Sequence, residues 1–299
     1  MSSRNLTVGI FFLSQTALGM LGNLALLCCF IFADFTGVRM KPMDMIVKHL
    51  TLANIVVLCK GIPQTMAAFG QTFFPDDISC KLMFYFHRVA RGASLGSTCL
   101  LSVFQAITIS PSHSSLAQLK FKAPRIIGPS LGLCWVLYLL VNSFNIMTVT
   151  DIRDRGNLTE FRQFVYCFVV NVSKLSKFYI IYLILLVFND VLYLGLMIGA
   201  SGSMVLILFK HKQRVQHIHR SLSTKSFSET KATQSILTLM ISFVVLYGSS
   251  VILILYFPFQ DVTHTWLINA NVAMNACYPA LCPFLLIRHY TRVFKLCST

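Results

Sequence analysis

The sequence predicts an all-α membrane protein, a seven-transmembrane-helix bundle with an extracellular N-terminus. Three observations predict it. Of 299 residues, 56% are hydrophobic and 12% charged, and the mean hydropathy is +0.70, whereas a soluble domain carries about twice that charged fraction. Seven apolar segments recur along the chain, and about 20 such residues cross a bilayer as a helix whose backbone groups are paired within the segment. The basic residues, finally, are shared unequally between the loops on the two sides.

In chain order the spans are Val8 to Phe32, Val47 to Phe69, Leu82 to Ile109, Ile126 to Val149, Phe178 to Phe209, Ser235 to Phe257 and His264 to Ile287, within a single domain covering residues 1–299. The first is too long for the apolar core of a cleavable signal and follows a short polar N-terminus, so it reads as a true span. The fifth would be ~48 Å long at 1.5 Å per residue, long for one crossing. Splitting it would invert everything downstream, and charge decides the matter. With the N-terminus outside, fifteen Lys and Arg fall in inner segments and seven in outer ones, against three and six acids. That bias follows the positive-inside rule and supports an odd number of spans, with the fifth helix protruding at one end.

Glycosylation sequons provide a second check on topology. Asn5-Leu-Thr7, Asn157-Leu-Thr159 and Asn171-Val-Ser173 all fall on the outer side, where the acceptor machinery acts. Of ten cysteines, eight (28, 29, 59, 99, 134, 277, 282 and 297) lie in spans or the C-terminal tail. That leaves Cys80, at the outer end of the third span, and Cys167, in the second outer loop, as the pair for an outer disulfide. The longest inner loop, Lys210 to Thr233, is basic and rich in Ser and Thr. It serves as topology determinant and attractor of anionic membrane lipid, as a partner-binding surface, or as both.

The net charge of +15 does not imply nucleic acid, because the charges lie in loops around spans. No GxSxG, HExxH, Walker loop or paired-carboxylate constellation occurs within the spans, so the chain reads as no enzyme, with no cofactor. The eight histidines are scattered, and His211, His217 and His219 in the basic loop lack Cys or acidic co-ligands, so no metal site is expected either.

The ionisable set inside the membrane is small: Lys60, His87, Arg88, Arg91 and Asp190. An arginine near mid-membrane costs about 2.5–3.5 kcal/mol on insertion scales and therefore faces the bundle interior, with a counter-charge, water or ligand nearby. Arg91 lies ~16 Å below Cys80 and Asp190 ~18 Å below Phe178, at similar depths. Two readings follow. Either Arg91 and Asp190 form an internal pair that fixes helix packing, or Arg91, with His87 one turn above it, meets an anionic or hydrogen-bond-accepting ligand. Arg88 shares that face or snorkels to the outer interface. Lys60 either snorkels too or, at ~10 residues from the outer end of its helix, faces inward, and Pro63, Pro279 and Pro283 interrupt helices, as bends that let one move or as packing irregularities alone.

Seven spans, a cysteine opening the third and another in the second outer loop resemble the G-protein-coupled receptor architecture. Gly22-Asn23 and Trp135 look like landmarks of its rhodopsin-like class. Elsewhere the chain departs from that class. Phe104-Gln105-Ala106 stands where an Asp-Arg-Tyr triplet is expected, Asn54 where an aspartate is, and CYPALCPFLLIRH (Cys277 to His289) replaces Asn-Pro-x-x-Tyr. Together with HLTLANIVVLCKGIPQTMAAFG (His49 to Gly70) and FHRVARGASLGSTCLLSVFQAITISP (Phe86 to Pro111), these departures resemble the vomeronasal type-1 pheromone receptors over essentially the whole chain. The sequon at Asn157 fits the same resemblance. It implies a chemosensory receptor of the plasma membrane of vomeronasal sensory neurons, coupled to an inhibitory-type heterotrimeric G protein and, through it, to calcium entry by a transient receptor potential channel.

The expectation is therefore a receptor that binds a small organic, pheromone-like ligand between the outer halves of helices three, five, six and seven. The excess of cations inside the bundle motivates an anionic ligand, such as a sulfated steroid. His87, Arg88, Arg91 and Asp190 are the candidate pocket residues, with the Cys80–Cys167 bridge anchoring a lid. Gln105, Thr108 and Pro111, with the basic loop Lys210 to Lys231, would meet the G protein. A bitter-taste-like chemoreceptor is the alternative within the class, and a membrane transporter the alternative outside it. A transporter would favour inverted repeats and an even number of spans, and neither is evident.

Overall fold

The structure is a computed structural model that describes residues 3–38, 40–71, 76–110, 117–143, 146, 149–150, 161–164, 167–170, 177–218, 238, 241–253 and 265–289. Eight helices occur among them: α1 (Ser3–Phe35), α2 (Pro42–Leu58), α3 (Gly61–Ala68), α4 (Asp77–Ile109), α5 (Ala117–Asn142), α6 (Lys177–Ile218), α7 (Ile241–Leu253) and α8 (Thr265–His289). Six spans are long and apolar enough to cross a membrane, α2 and α3 counting as one, and α7 is a shorter apolar helix. The chain is a seven-helix membrane bundle.

Proline chemistry explains why the second span is two helices. Pro63 has no N–H and its ring crowds the preceding turn, and the backbone tightens just before it: Lys60 N–H donates to Val57 O at 3.4 Å and Ile62 N–H to Cys59 O at 3.2 Å, each three residues back. Gly61 stands where this break meets α1, and a Cβ there would come within 2.1 Å of the Thr16 hydroxyl. A larger residue there forces the Thr16 side chain to move.

Helix α4 is the central post. It packs against α2, α5, α6 and the first strand, and from Val89 to Ser102 nearly every side chain is buried. Small residues permit this closeness, as in other membrane bundles, where packing replaces the hydrophobic effect between helices. A Cβ on Gly92 would stand 2.2 Å from the Tyr138 ring of α5, and one on Gly96 2.3 Å from the Cys134 sulfur.

A polar ladder crosses the bundle beside α4. Ser94 Oγ donates to Asn54 Oδ1 at 2.8 Å, Asn54 Nδ2 to Asn23 Oδ1 at 3.4 Å, and Asn23 Nδ2 to the Pro279 carbonyl at 2.9 Å. The last bond has a local cause. Pro283 lacks the N–H that would normally bond the carbonyl four residues back, so Asn23 of α1 satisfies an acceptor that α8 cannot satisfy itself.

The fourth span differs from the sequence reading at both ends. The fourth helix spans Ala117–Asn142 rather than reaching Val149, which lies instead in strand β1 (Val149–Thr150). There Asn142 Nδ2 donates to the Tyr138 carbonyl and its Oδ1 accepts the Tyr182 hydroxyl at 3.2 Å, tying the helix end to α6. Strands β2 (Phe161–Phe164) and β3 (Cys167–Val170) complete a small antiparallel sheet of order β1-β3-β2, with Val149 opposite Val169 and Phe164 opposite Cys167. Apolar, β-branched and aromatic residues supply the strand propensity. Hydropathy alone does not separate such strands from the end of a span. The fifth helix, α6, runs 42 residues, consistent with a helix that protrudes from the membrane.

Candidate functional site

Cys80 of α4 and Cys167 of β3 form a disulfide, with Cα atoms 5.9 Å apart. The bond pins the sheet over the outer end of the bundle, and Phe84, one turn along α4, packs beneath it with both cysteines. Cys29 in α1, which its position in the sequence places among the span thiols, is disulfide-bonded as well.

Two layers of polar groups lie below the bridge. In the upper one the Lys60 ammonium sits 4.5 Å from the centre of the Phe84 ring, a cation–π arrangement of the kind that stabilises a charge away from water. His87 is 8% exposed and its Nδ1 has no hydrogen-bond partner. Arg88, the next residue, is half-buried.

The lower layer is built around Arg91. Its Nη1 donates to Asp190 Oδ2 at 2.7 Å, its Nε to Asn275 Oδ1 at 3.0 Å and its Nη2 to Ser250 Oγ at 3.3 Å. One guanidinium therefore joins α4 to α6, α8 and α7. This is the fork geometry that arginine alone offers. The guanidinium carbon lies 5.3 Å from the centre of the Tyr247 ring, whose hydroxyl donates back to the Arg91 carbonyl at 3.2 Å. Asn275 is itself oriented, its Nδ2 donating to Asn271 at 2.8 Å. The Tyr138 hydroxyl, on the α5 side, is buried without a partner.

Below Arg91 an aromatic cluster continues toward the inner end. Tyr247 stacks on Phe243 with ring centroids 4.3 Å apart, and Phe243 meets Tyr278 edge-on at the same distance. Tyr278 is 1% exposed and shares a hydrogen bond of 3.3 Å with Thr98. Contacts of this kind link the outer polar layer to the packed core continuously.

Of the residues singled out by sequence, Arg91 and Asp190 meet directly, His87 and Arg88 lie above them on α4, and Cys80 and Cys167 are joined. At the inner end Gln105 is buried, with its Oε1 unpartnered, while Thr108 is exposed and donates to the Phe104 carbonyl at 2.7 Å. Asn5 lies at the start of α1. Asn157, Asn171 and Pro111, and the loop residues beyond Ile218, fall outside the described residues. Sequence reasoning missed Asn275, Ser250 and Tyr247. The available signal was the run of amides in the last span, Asn269, Asn271 and Asn275, since polar side chains in an apolar segment need partners.

A seven-helix membrane bundle with a disulfide-anchored outer sheet above a buried polar hub is the build of a membrane receptor, and its relatives name the kind. The model of the vomeronasal organ pheromone receptor family matches residues 6–299. The chain is 46% identical to vomeronasal type-1 receptor 4 of Pongo pygmaeus over 99% of this chain and 98% of that one. It is 43% identical to vomeronasal type-1 receptor 3 of Homo sapiens, over 100% and 96% respectively. More distantly, it is 30% identical to olfactory receptor class A-like protein 1 of Danio rerio, over 93% and 88%. The chain belongs to the vomeronasal organ pheromone receptor family: it is a multi-pass membrane chemoreceptor, not an enzyme.

Proposed function

We propose that the protein is a G-protein-coupled pheromone receptor that binds a small organic semiochemical in the outer half of the bundle and activates an inhibitory-type heterotrimeric G protein. The observation that carries this reading is the Arg91 hub, in which one side chain bonds Asp190, Asn275 and Ser250 on three other helices. A ligand that offers an acidic or hydrogen-bond-accepting group competes for those donors. Because it changes the relative free energy of two helix arrangements, it shifts their populations.

The aromatic cluster Tyr247–Phe243–Tyr278 lies next to the hub and carries its movement toward the inner ends of the helices. There Thr108 and Pro111, with the basic segment Lys210 to Lys231, form the G-protein surface. Buried Gln105 joins them once the inner cleft opens. His87 and Arg88, above the hub, belong to the same ligand site, and Asn5, Asn157 and Asn171 are the proposed glycan acceptors.

The experiment is to express the chain with a reporter of inhibitory G-protein activation and apply urinary steroids, their sulfates and small volatiles. Activation by a member of the panel that is lost when the inhibitory G protein is removed supports the reading. Agonist-driven movement of labelled substrate across the membrane, with no G-protein activation, would replace it with a transporter.

A further inference from the structure

Helix α5 enters the membrane from the inner side with Lys120, Lys122 and Arg125 in its first three turns and no acidic residue anywhere along it. Lys120 is engaged, its Nζ donating to the Ser110 carbonyl at the inner end of α4. Lys122 and Arg125 are exposed, and among the described residues neither has a hydrogen-bond or ion-pair partner. The acids described at the inner end are taken elsewhere: Asp34 pairs with Lys48, and buried Asp44 accepts the Lys41 backbone N–H. Counted down from Asn142, which ends α5 on the outer side, Arg125 lies ~26 Å and Lys122 ~30 Å deeper, at the inner edge of a hydrocarbon core about 30 Å thick.

Both cations face lipid. At about 100° per residue Phe121, Lys122 and Arg125 share one side of α5, opposite the buried Ile127 and Leu131. Phe121 is 87% exposed beside them, and exposed Leu133 and Val136 continue that side toward the outer end. Three positions apart on a helix, Lys122 and Arg125 have Cβ atoms about 5–6 Å from each other and repel unless an anion lies between them. We propose that Lys122 and Arg125 bind an anionic phospholipid of the inner leaflet, its headgroup held between the two cations, Phe121 seated at the headgroup boundary and an acyl chain running along Leu133 and Val136. A soluble anion would meet the charges alone, whereas a lipid also covers the apolar strip above them, and the inner leaflet is where anionic lipid concentrates. The arginine fork grips a phosphate through two nitrogens, and the lysine adds a point charge. Because Lys120 holds this end of α5 to α4, the bundle positions the site.

The test uses the full chain in nanodiscs of phosphatidylcholine with a rising fraction of phosphatidylserine, and native mass spectrometry counts the phosphatidylserine that stays with the receptor. The wild type retains it saturably at low fractions. Lys122→Gln and Arg125→Gln each weaken that retention about fivefold, the worth of one basic side chain at an anionic membrane surface. Lys122→Arg keeps it, and Lys210→Gln, which removes an exposed cation of α6, leaves it unchanged. Retention in simple proportion to the lipid mixture, or an equal loss in Lys210→Gln, overturns the site in favour of a diffuse attraction between the inner loops and the membrane. Full displacement of the lipid by inorganic phosphate overturns it as well, since the chains would then contribute nothing. Lys122→Gln and Arg125→Gln variants that keep phosphatidylserine but lose G-protein activation give the patch to the G protein instead.

Discussion

Arg91 Nη1 stands 2.7 Å from Asp190 Oδ2, with the two side chains only 12% and 11% exposed. A pair this buried does not gain much over an apolar replacement, but removing one partner leaves an uncompensated charge, at a cost of about 3–5 kcal/mol. We expect Asp190→Ala to destabilise the purified receptor by that order and the double variant Asp190→Ala with Arg91→Met to recover most of it. Thermal unfolding of all three in nanodiscs checks this. Additive losses would mean that the two residues are not coupled.

Asn23 is expected to matter because of Pro283. In the wild type Asn23→Ala strands the Pro279 carbonyl and costs about 1–3 kcal/mol. In a Pro283→Ala background the helix regains its own N–H, and the same substitution should cost clearly less. Equal costs in the two backgrounds would show that the cross-helix bond does not answer the proline.

The tight α4–α5 seam gives a contrast between two glycines. Gly92→Ala places a methyl group 2.2 Å from the Tyr138 ring, an overpacking that costs about 1–3 kcal/mol. Gly132, around which a Cβ would meet nothing within 4 Å, should accept alanine without loss. Surface expression and unfolding temperature distinguish the two directly.

Cutting the outer bridge tests its role as anchor. Cys80→Ser or Cys167→Ser opens a loop that joins residues 87 apart in sequence, a loss of about 2–4 kcal/mol. The double variant should be no worse than either single one. A double variant that loses about twice as much would mean that each cysteine acts through packing rather than through the bond.

Much of this was legible in the sequence for definite reasons. Span number and orientation follow from apolar length and loop charge, which act over tens of residues. The Cys80 to Cys167 pairing follows from compartment, and the depth match of Arg91 and Asp190 from a fixed helical rise. Which way Arg91 faces did not follow, because neighbouring positions differ by a rotation of about 100° and Arg88 was equally placed. The structure decides it, with Asn275, Ser250 and Asp190 all bonded to Arg91. Nor was strand β1 legible, since Val149 and Thr150 continue an apolar run that a helix would also accept. The break at Cys59 and Lys60 was signalled by Pro63, but not its close fit to Thr16, which depends on a contact between helices.

The most direct measurement of the central claim is G-protein activation by Arg91→Ala and Asp190→Asn receptors matched to the wild type in surface expression. If the Arg91 hub holds the resting arrangement and the ligand acts through it, both variants raise activity without ligand and lose most of the response to it. Basal activity and ligand response that both stay at the wild-type level would contradict the account.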